Sequence, residues 1–268
     1  MKNSDLEQRY REIIEDNVNV GKTNDGTEFL ILITGIIAIF FVIYLFADSI
    51  SNLVIDKLPD KTITQIERTI QSKSKFKNSK NPETEAQLEK LETLKQRIIA
   101  QDKNLQNKPS FPISIEPMKE VNAFIEIDGS IHFTEGLLKK INDDEILTFV
   151  MAHELGHYVH RDCLKHASRQ IIVGLITSVF SNNQNNVGAA ITGISEMNAL
   201  TYSRAQEKRA DEYANQMLFK IYGRNTAAIE FFKYLEKEEK EPEFLQYFST
   251  HPSTKQRLKF AKNMRPSR

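Results

Sequence analysis

Residues 29–47 form one uncharged run, Phe-Leu-Ile-Leu-Ile-Thr-Gly-Ile-Ile-Ala-Ile-Phe-Phe-Val-Ile-Tyr-Leu-Phe-Ala, fenced by Glu28 and Asp48. At about 1.5 Å per residue, a helix of this length crosses the hydrocarbon core of a bilayer. A cleaved signal would have a shorter apolar stretch, a basic start and a small-residue cleavage site, whereas the leader here is net acidic. A buried globular helix would show a polar face, and this run has none. The expectation is a single membrane-spanning helix over 29–47, preceded by a polar segment at 1–28.

Flanking charge says little about orientation. Arg9, Arg11 and Lys22 precede the run, and Lys57 and Lys61 follow it. Lys73, Lys75, Lys77 and Lys80 tilt the count toward a cytoplasmic placement of the part that follows the run. The 36 basic and 36 acidic residues cancel, so no whole-molecule field draws the chain to nucleic acid, and no such partner is expected. Cys163 is the only cysteine. That rules out an intrachain disulfide framework and any multi-thiolate zinc site, and a metal here must be held by His and carboxylate.

Residues 48–106 are polar and read as a helical or flexible spacer, or else as a packing arm. Leu88, Leu91, Leu94 and Ile98 recur at helical spacing after Pro82. The Lys-rich run from Lys73 to Lys80 reads as a solvated linker that could touch anionic lipid. From 107 onward the pattern changes. Ile113 and Ile115 alternate, and Val121, Phe124, Ile125 and Ile127 lead to Asp128-Gly129, with Ile131 and Phe133 beyond. Asp-Gly between apolar runs predicts a hairpin and hence a small antiparallel sheet. A helix then starts at Asn142, with Glu145 three residues on and Asp143 and Asp144 in its first turn.

That helix carries His153-Glu154-Leu155-Gly156-His157. Two histidines four apart stack on one helical face at a spacing suited to one zinc ion, with Glu154 beside the metal and not on it. The bland alternative is a pair of satisfied core histidines. A third histidine six residues beyond the second is excluded, because that position is Cys163, and a carboxylate is the alternative third ligand. A second helix, from Thr201 to Tyr222, ends before Gly223 and lines Ala210, Ala214, Leu218 and Ile221 along one face. Glu207 and Asp211 lie on that face. Burying them is costly unless each has a partner, which a metal and a metal-bound imidazole supply, or else Arg204 or Arg209 in salt bridges.

With Glu207-Lys208-Arg209-Ala210-Asp211-Glu212-Tyr213-Ala214 added to the His153–His157 motif, the chain resembles the gluzincin family of HtpX-like membrane proteases and CAAX prenyl endopeptidases. Val121-Asn122-Ala123-Phe124, Thr134-Glu135-Gly136-Leu137-Leu138, His251-Pro252-Ser253 and Arg257 extend the resemblance over residues 107–268. It implies an α+β, predominantly helical, zincin-like metalloprotease domain behind one transmembrane helix. It further implies zinc, one ion per chain, on His153, His157 and Glu207, with Asp211 supporting a zinc-bound histidine. The single apolar span departs from the multi-span members and puts a prenylated substrate in doubt.

Glu154 is then the general base of peptide-bond hydrolysis. By the same resemblance His251 stabilises the transition state, or it occupies the open zinc position in a resting state. Arg257 reads as a structural ion pair or a substrate contact, and Asn122 as a residue of an edge strand that pairs with an extended peptide through its main chain. His132, His160 and His166 read as surface or packing residues, and Cys163 as inert. The apolar stretches 171–180 and 187–194 fit a lid, a membrane-dipping hairpin or plain core helices. The expected function is a membrane-anchored zinc metalloendopeptidase of protein quality control. The rival is a catalytically latent, membrane-tethered binding or chaperone-like protein, which would have no need of Glu154. Expected partners are protein or peptide substrates and the lipid bilayer.

Overall fold

The computed structural model describes residues 6–11, 25–71, 82–108, 110–181, 201–251 and 254–266. The Lys73–Lys80 run, the 187–194 stretch, and Pro252 and Ser253 lie outside the described residues. The chain divides into two units, Met1–Ala47 and Asp48–Arg268.

The first unit holds α1 (residues 6–11) and α2 (Asp25–Leu45). Gly26–Leu45 is long and apolar enough to cross a membrane. Phe29, Leu30, Ile31, Leu32, Ile39 and Phe41 are all more than half exposed. That length and composition make it a candidate membrane span. The helix stops two residues short of the expected end, because a turn at Phe46 separates it from the next element.

The second unit holds all but the first residue of α3 (Ala47–Lys57), then α4 (Asp60–Gln71), α5 (Pro82–Ile99) and the single turn α6 (Lys103–Gln106). Of the two readings for this stretch, burial favours the packing arm. Ile55, Ile63, Leu91, Leu94 and Ile98 are no more than 5% exposed and belong to the same core cluster as the residues of the motif helix. Pro82 occupies the first position of α5, where its missing N–H costs nothing.

Three strands follow, β1 (Ile113–Glu116), β2 (Ala123–Ile125) and β3 (Ile131–Thr134), in the order β1-β3-β2. The expected hairpin is present. β2 and β3 pair antiparallel, and Gly129 adopts φ 86° in the turn between them. The sheet is nonetheless mixed, because β1 joins the far side of β3 in parallel, with Ile113 opposite Ile131 and Ile115 opposite Phe133. Alternating burial cannot tell the two directions apart, since side chains alternate between faces in either.

Next come α7 (Glu135–Lys140), α8 (Asp144–Val159), α9 (Asp162–Ser181), α10 (Arg204–Tyr222), α11 (Thr226–Glu238), a 3-10 turn (Pro242–Phe244), α12 (Leu245–Thr250) and α13 (Thr254–Asn263). The cap of α8 falls one residue later than Asn142. Asp143 Oδ1 accepts from Ile146 N at 2.9 Å, while Asn142 accepts from Lys90 through its backbone carbonyl at 2.7 Å and its side chain at 2.9 Å. At α10, Ser203 and Gln206 form a reciprocal capping box, and Gly223 closes the helix at φ 71° with its N–H donating to Phe219 O. Residues 147–158 of α8 are buried throughout, so the motif helix runs through the centre of the core. Phe149 packs edge-on against Phe232 at a ring separation of 5.4 Å.

Candidate metal centre

The site depends on how closely α8 and α10 approach. Gly156 makes the approach possible: a Cβ there would lie 3.0 Å from Ala210 Cα and 3.3 Å from Tyr213 Cβ. With that gap closed, the helix faces that carry His153 and His157 on α8 and Glu207 and Asp211 on α10 are brought together.

His153, His157, Glu207 and His251 each direct one ligand-type atom into a space where all four atoms lie within 4.8 Å of one another. All four residues are buried. His153 Nε2 and His157 Nε2 are 3.2 Å apart. Glu207 Oε1 lies 3.3 Å from His157 Nε2, and Oε2 lies 3.6 Å from His153 Nε2. The other nitrogen of each imidazole faces a carboxylate, with His153 Nδ1 3.1 Å from Asp211 and His157 Nδ1 3.0 Å from Asp162. A carboxylate at Nδ1 fixes the ring and turns its Nε2 toward the shared space, which is how metal-ligating histidines are held. Two imidazoles and a carboxylate converging in this way form a donor set that suits zinc, and these residues fit the ion.

His251, the C-cap of α12, is wholly inside this space. Its Nδ1 is 3.0 Å from Glu207 Oε1 and 3.3 Å from His153 Nε2, and its Nε2 is 3.7 Å from Glu154 Oε1. In this arrangement it is the fourth member of the buried cluster. Tyr247 stacks on its ring with centroids 4.9 Å apart. Glu154 sits beside the cluster, 1% exposed, and its Oε2 is buried without a hydrogen-bond partner among the described residues.

Glu207 and Asp211 are not paired with Arg204 or Arg209. Arg257 spans both of them from α13, with its Nη1 2.7 Å from Glu207 Oε2 and its Nη2 2.7 Å from Asp211 Oδ1. Its guanidinium also lies 4.8 Å from the centre of the Phe232 ring. It is 4% exposed, so the structure places it as an ion-pair partner inside the site.

Burial raises the carboxyl of Glu154, so this group holds a proton more readily than an exposed glutamate. Burial acts in the same direction on Glu207, but the Arg257 guanidinium and the nearby His251 outweigh it and hold Glu207 well below the usual range. Burial, reinforced by Arg257, depresses His153 to about 3. For His157 burial also lowers the value, yet hydrogen bonds to Asp162 and Glu207 overcome it and raise the group to about 9. The two imidazoles therefore differ in proton affinity although they share a helix face.

Asn122 departs from expectation. Its backbone N–H donates to Thr134 Oγ1 at 3.0 Å, and its carbonyl accepts from Thr134 N at 3.0 Å. Its main chain is therefore committed within the molecule and is not available to pair with a peptide. The remaining histidines stand apart from the cluster. His132 lies on β3, 2.8 Å from Glu116 and stacked on Phe124; His160 caps α8; and His166 contacts Gln170 on α9. Cys163 is buried, and burial pushes its thiol up to about 12, far from the thiolate that reactivity requires.

Sequence reasoning missed two residues that shape the site. Asp162 holds His157 Nδ1 and also accepts from Arg209 at 3.0 Å. Tyr202 stacks on the His157 ring with centroids 3.7 Å apart. The only hint of Asp162 was a carboxylate just past the end of a metal-motif helix. Nothing in the sequence marked Tyr202.

Comparison with known proteins agrees with this geometry. The model of peptidase family M48 matches residues 85–265. Among curated relatives, Protease HtpX of Legionella pneumophila (strain Lens) is 28% identical over 170 residues, covering 49% of this chain and 60% of the relative. The Protease HtpX homolog of Campylobacter hominis is 28% identical over 202 residues, covering 60% of this chain and 71% of the relative. The chain thus spans about 60% of the length of the Legionella relatives it matches. A family match that runs from α5 to the end of α13 and takes in all four convergent side chains establishes that this chain belongs to peptidase family M48.

Proposed function

We propose that the chain is a membrane-anchored zinc metalloendopeptidase. The observation that carries this reading is the buried convergence of His153, His157 and Glu207 with the carboxylate of Glu154 beside it. His153, His157 and Glu207 would hold the ion. Asp211 would fix the His153 ring and Arg257 would neutralise the two carboxylates it bridges. When bound, zinc polarises a carbonyl oxygen and lowers the pKa of water to about 7. Glu154 accepts the proton of the attacking water on its carboxylate oxygen and delivers it to the leaving amine nitrogen. Its burial-raised proton affinity suits that transfer. His251 reaches the same space and can donate to the developing oxyanion.

The domain plan follows the same reading. A polar leader at 1–28 precedes a span at 29–47, an arm at 48–106 and the peptidase domain at 107–268. The family model begins at residue 85 and Leu91, Leu94 and Ile98 are buried, which supports counting α5 with the peptidase domain. A substrate in extended form would add to the sheet edge at β2. The proposed setting is a bacterial cytoplasmic membrane with the catalytic unit on the cytoplasmic side, and the proposed task is removal of misfolded or membrane-associated proteins.

One observation favours a second reading. His251 lies within reach of the ligand space that an open catalytic site leaves to water, so the arrangement also suits a latent state in which the tethered protein binds without cutting. The test is purified full-length protein in detergent with casein as substrate. Zinc-dependent cleavage that disappears in Glu154→Gln supports the peptidase, and zinc bound without cleavage supports the latent reading. Absence of both would refute each.

A further inference from the structure

The corner between α8 and α9 holds a feature that the catalytic reading leaves unused. Arg161 has φ 60°, and among the described residues it is the only non-glycine at positive φ. Residues with a Cβ avoid this region because the side chain crowds the following carbonyl. A long charged side chain found there is held in place by what it grips. The Arg161 guanidinium donates to Ile55 O at 2.8 Å and to Leu58 O at 3.1 Å, and it pairs with Asp60 Oδ1 at 2.8 Å. These groups form the C-terminal end of α3 and the start of α4. A helix presents unpaired carbonyls and partial negative charge at that end, so a guanidinium is a suitable partner.

Two more contacts continue the line, Lys165 to Asp56 at 2.7 Å and Arg169 to Asp48 at 2.6 Å. Lys165 and Arg169 are four apart on α9 and share one face, and Arg161 immediately precedes that helix. The carboxylates are 59–81% exposed, so these ion pairs add little by themselves. The two carbonyl bonds of Arg161 tie the corner to the α3–α4 turn.

The adjacent residue faces the opposite way. Asp162 is fully buried and holds His157 Nδ1 at 3.0 Å, while Arg209 steadies it from α10. Consecutive residues thus grip the α3–α4 turn with one side chain and a metal-site imidazole with the other. We propose that the α3–α4 turn is part of the metal centre: Arg161, anchored on that turn, sets the backbone from which Asp162 positions His157. Both are positioning residues, and neither meets substrate. The inference rests on the reading of His157 as a metal ligand. It makes the segment that directly follows the candidate span in sequence a determinant of metal retention.

The test compares the full-length chain in detergent with Asp162→Asn, Arg161→Gly and Arg224→Ala. The first removes the charge at Nδ1. The second removes the grip while keeping a residue at ease with the left-handed backbone. The third breaks an exposed pair with Glu145 far from the corner and serves as control. Zinc affinity is read by competition with a chromophoric chelator, coordination by the visible spectrum of the cobalt-substituted protein, and folding by circular dichroism. Lost support for a ligand typically lowers metal affinity by about 10–100-fold. We expect a loss in that range for Asp162→Asn and about 10-fold for Arg161→Gly, each with an altered cobalt spectrum and a native dichroism spectrum, and no change for Arg224→Ala. Wild-type affinity and spectrum in Arg161→Gly would overturn the inference even if Asp162→Asn failed to fold. A wild-type chain that binds no zinc would overturn the metal-centre reading, and this inference with it.

Discussion

Gly156→Ala should destabilise the protein although alanine is the better helix former. In an exposed helix the exchange gains about 0.5–1 kcal/mol. Here the new methyl would sit 3.0 Å from Ala210 Cα and 3.2 Å from Ala210 O, with Tyr213 Cβ at 3.3 Å. Two of these neighbours are backbone, so relief requires α8 and α10 to move apart by a few tenths of an ångström. Forcing a methyl into a tight core contact costs about 1–3 kcal/mol. Set against the propensity gain, the net loss is about 0–2.5 kcal/mol, centred near about 1 kcal/mol. For a unit of this size each kcal/mol moves the midpoint by about 2–4 °C, so a fall of about 2–5 °C, and of about 10 °C at most, is expected in thermal unfolding followed by circular dichroism. The same movement draws Glu207 away from His153 and His157, so zinc affinity should fall in parallel. An unchanged or raised midpoint with unchanged zinc affinity would show that the two helices are not in the contact described here, and the reasoning from Gly156 would fail.

Arg257→Met should cost about 3–5 kcal/mol, because it leaves the buried carboxylates of Glu207 and Asp211 without their cation; chemical denaturation would measure it, and a loss under 1 kcal/mol would count against the bridge. Leu94→Ala, at a position 1% exposed, should cost about 2–5 kcal/mol, whereas a flexible spacer would tolerate it; the same titration separates the two. Chelation of the metal should abolish casein cleavage and lower the unfolding midpoint, with recovery on adding zinc, and a chelator-insensitive midpoint would argue against a structurally coupled ion.

Much of the site could be read from spacing. Positions 153 and 157 share a helix face on geometry alone, and Glu207 and Asp211 fall on an apolar stripe where an unpartnered carboxylate is too costly to keep. The apolar N-terminal helix was equally legible, since an uncharged run of that length shows in the composition alone. The direction of β1 was not, because one alternating pattern serves a parallel or an antiparallel neighbour. Whether α3 to α5 pack or dangle depends on which face meets the core, and a polar helix such as α5, with five leucines and isoleucines, allows either. Asp162 looks like an ordinary first-turn acid of α9, and only the left-handed residue before it turns its side chain toward His157. Asn122 was misread because it lies one residue before the edge strand β2, and its own backbone groups pair with Thr134.

The central claim is that one divalent ion is held by His153, His157 and Glu207. Zinc-edge X-ray absorption of the purified full-length protein tests it most directly. The account predicts a single zinc per chain with only nitrogen and oxygen neighbours at about 2.0–2.2 Å, and a changed shell in Glu207→Ala. A zinc-free chain, or a zinc shell untouched by the loss of Glu207, would contradict it.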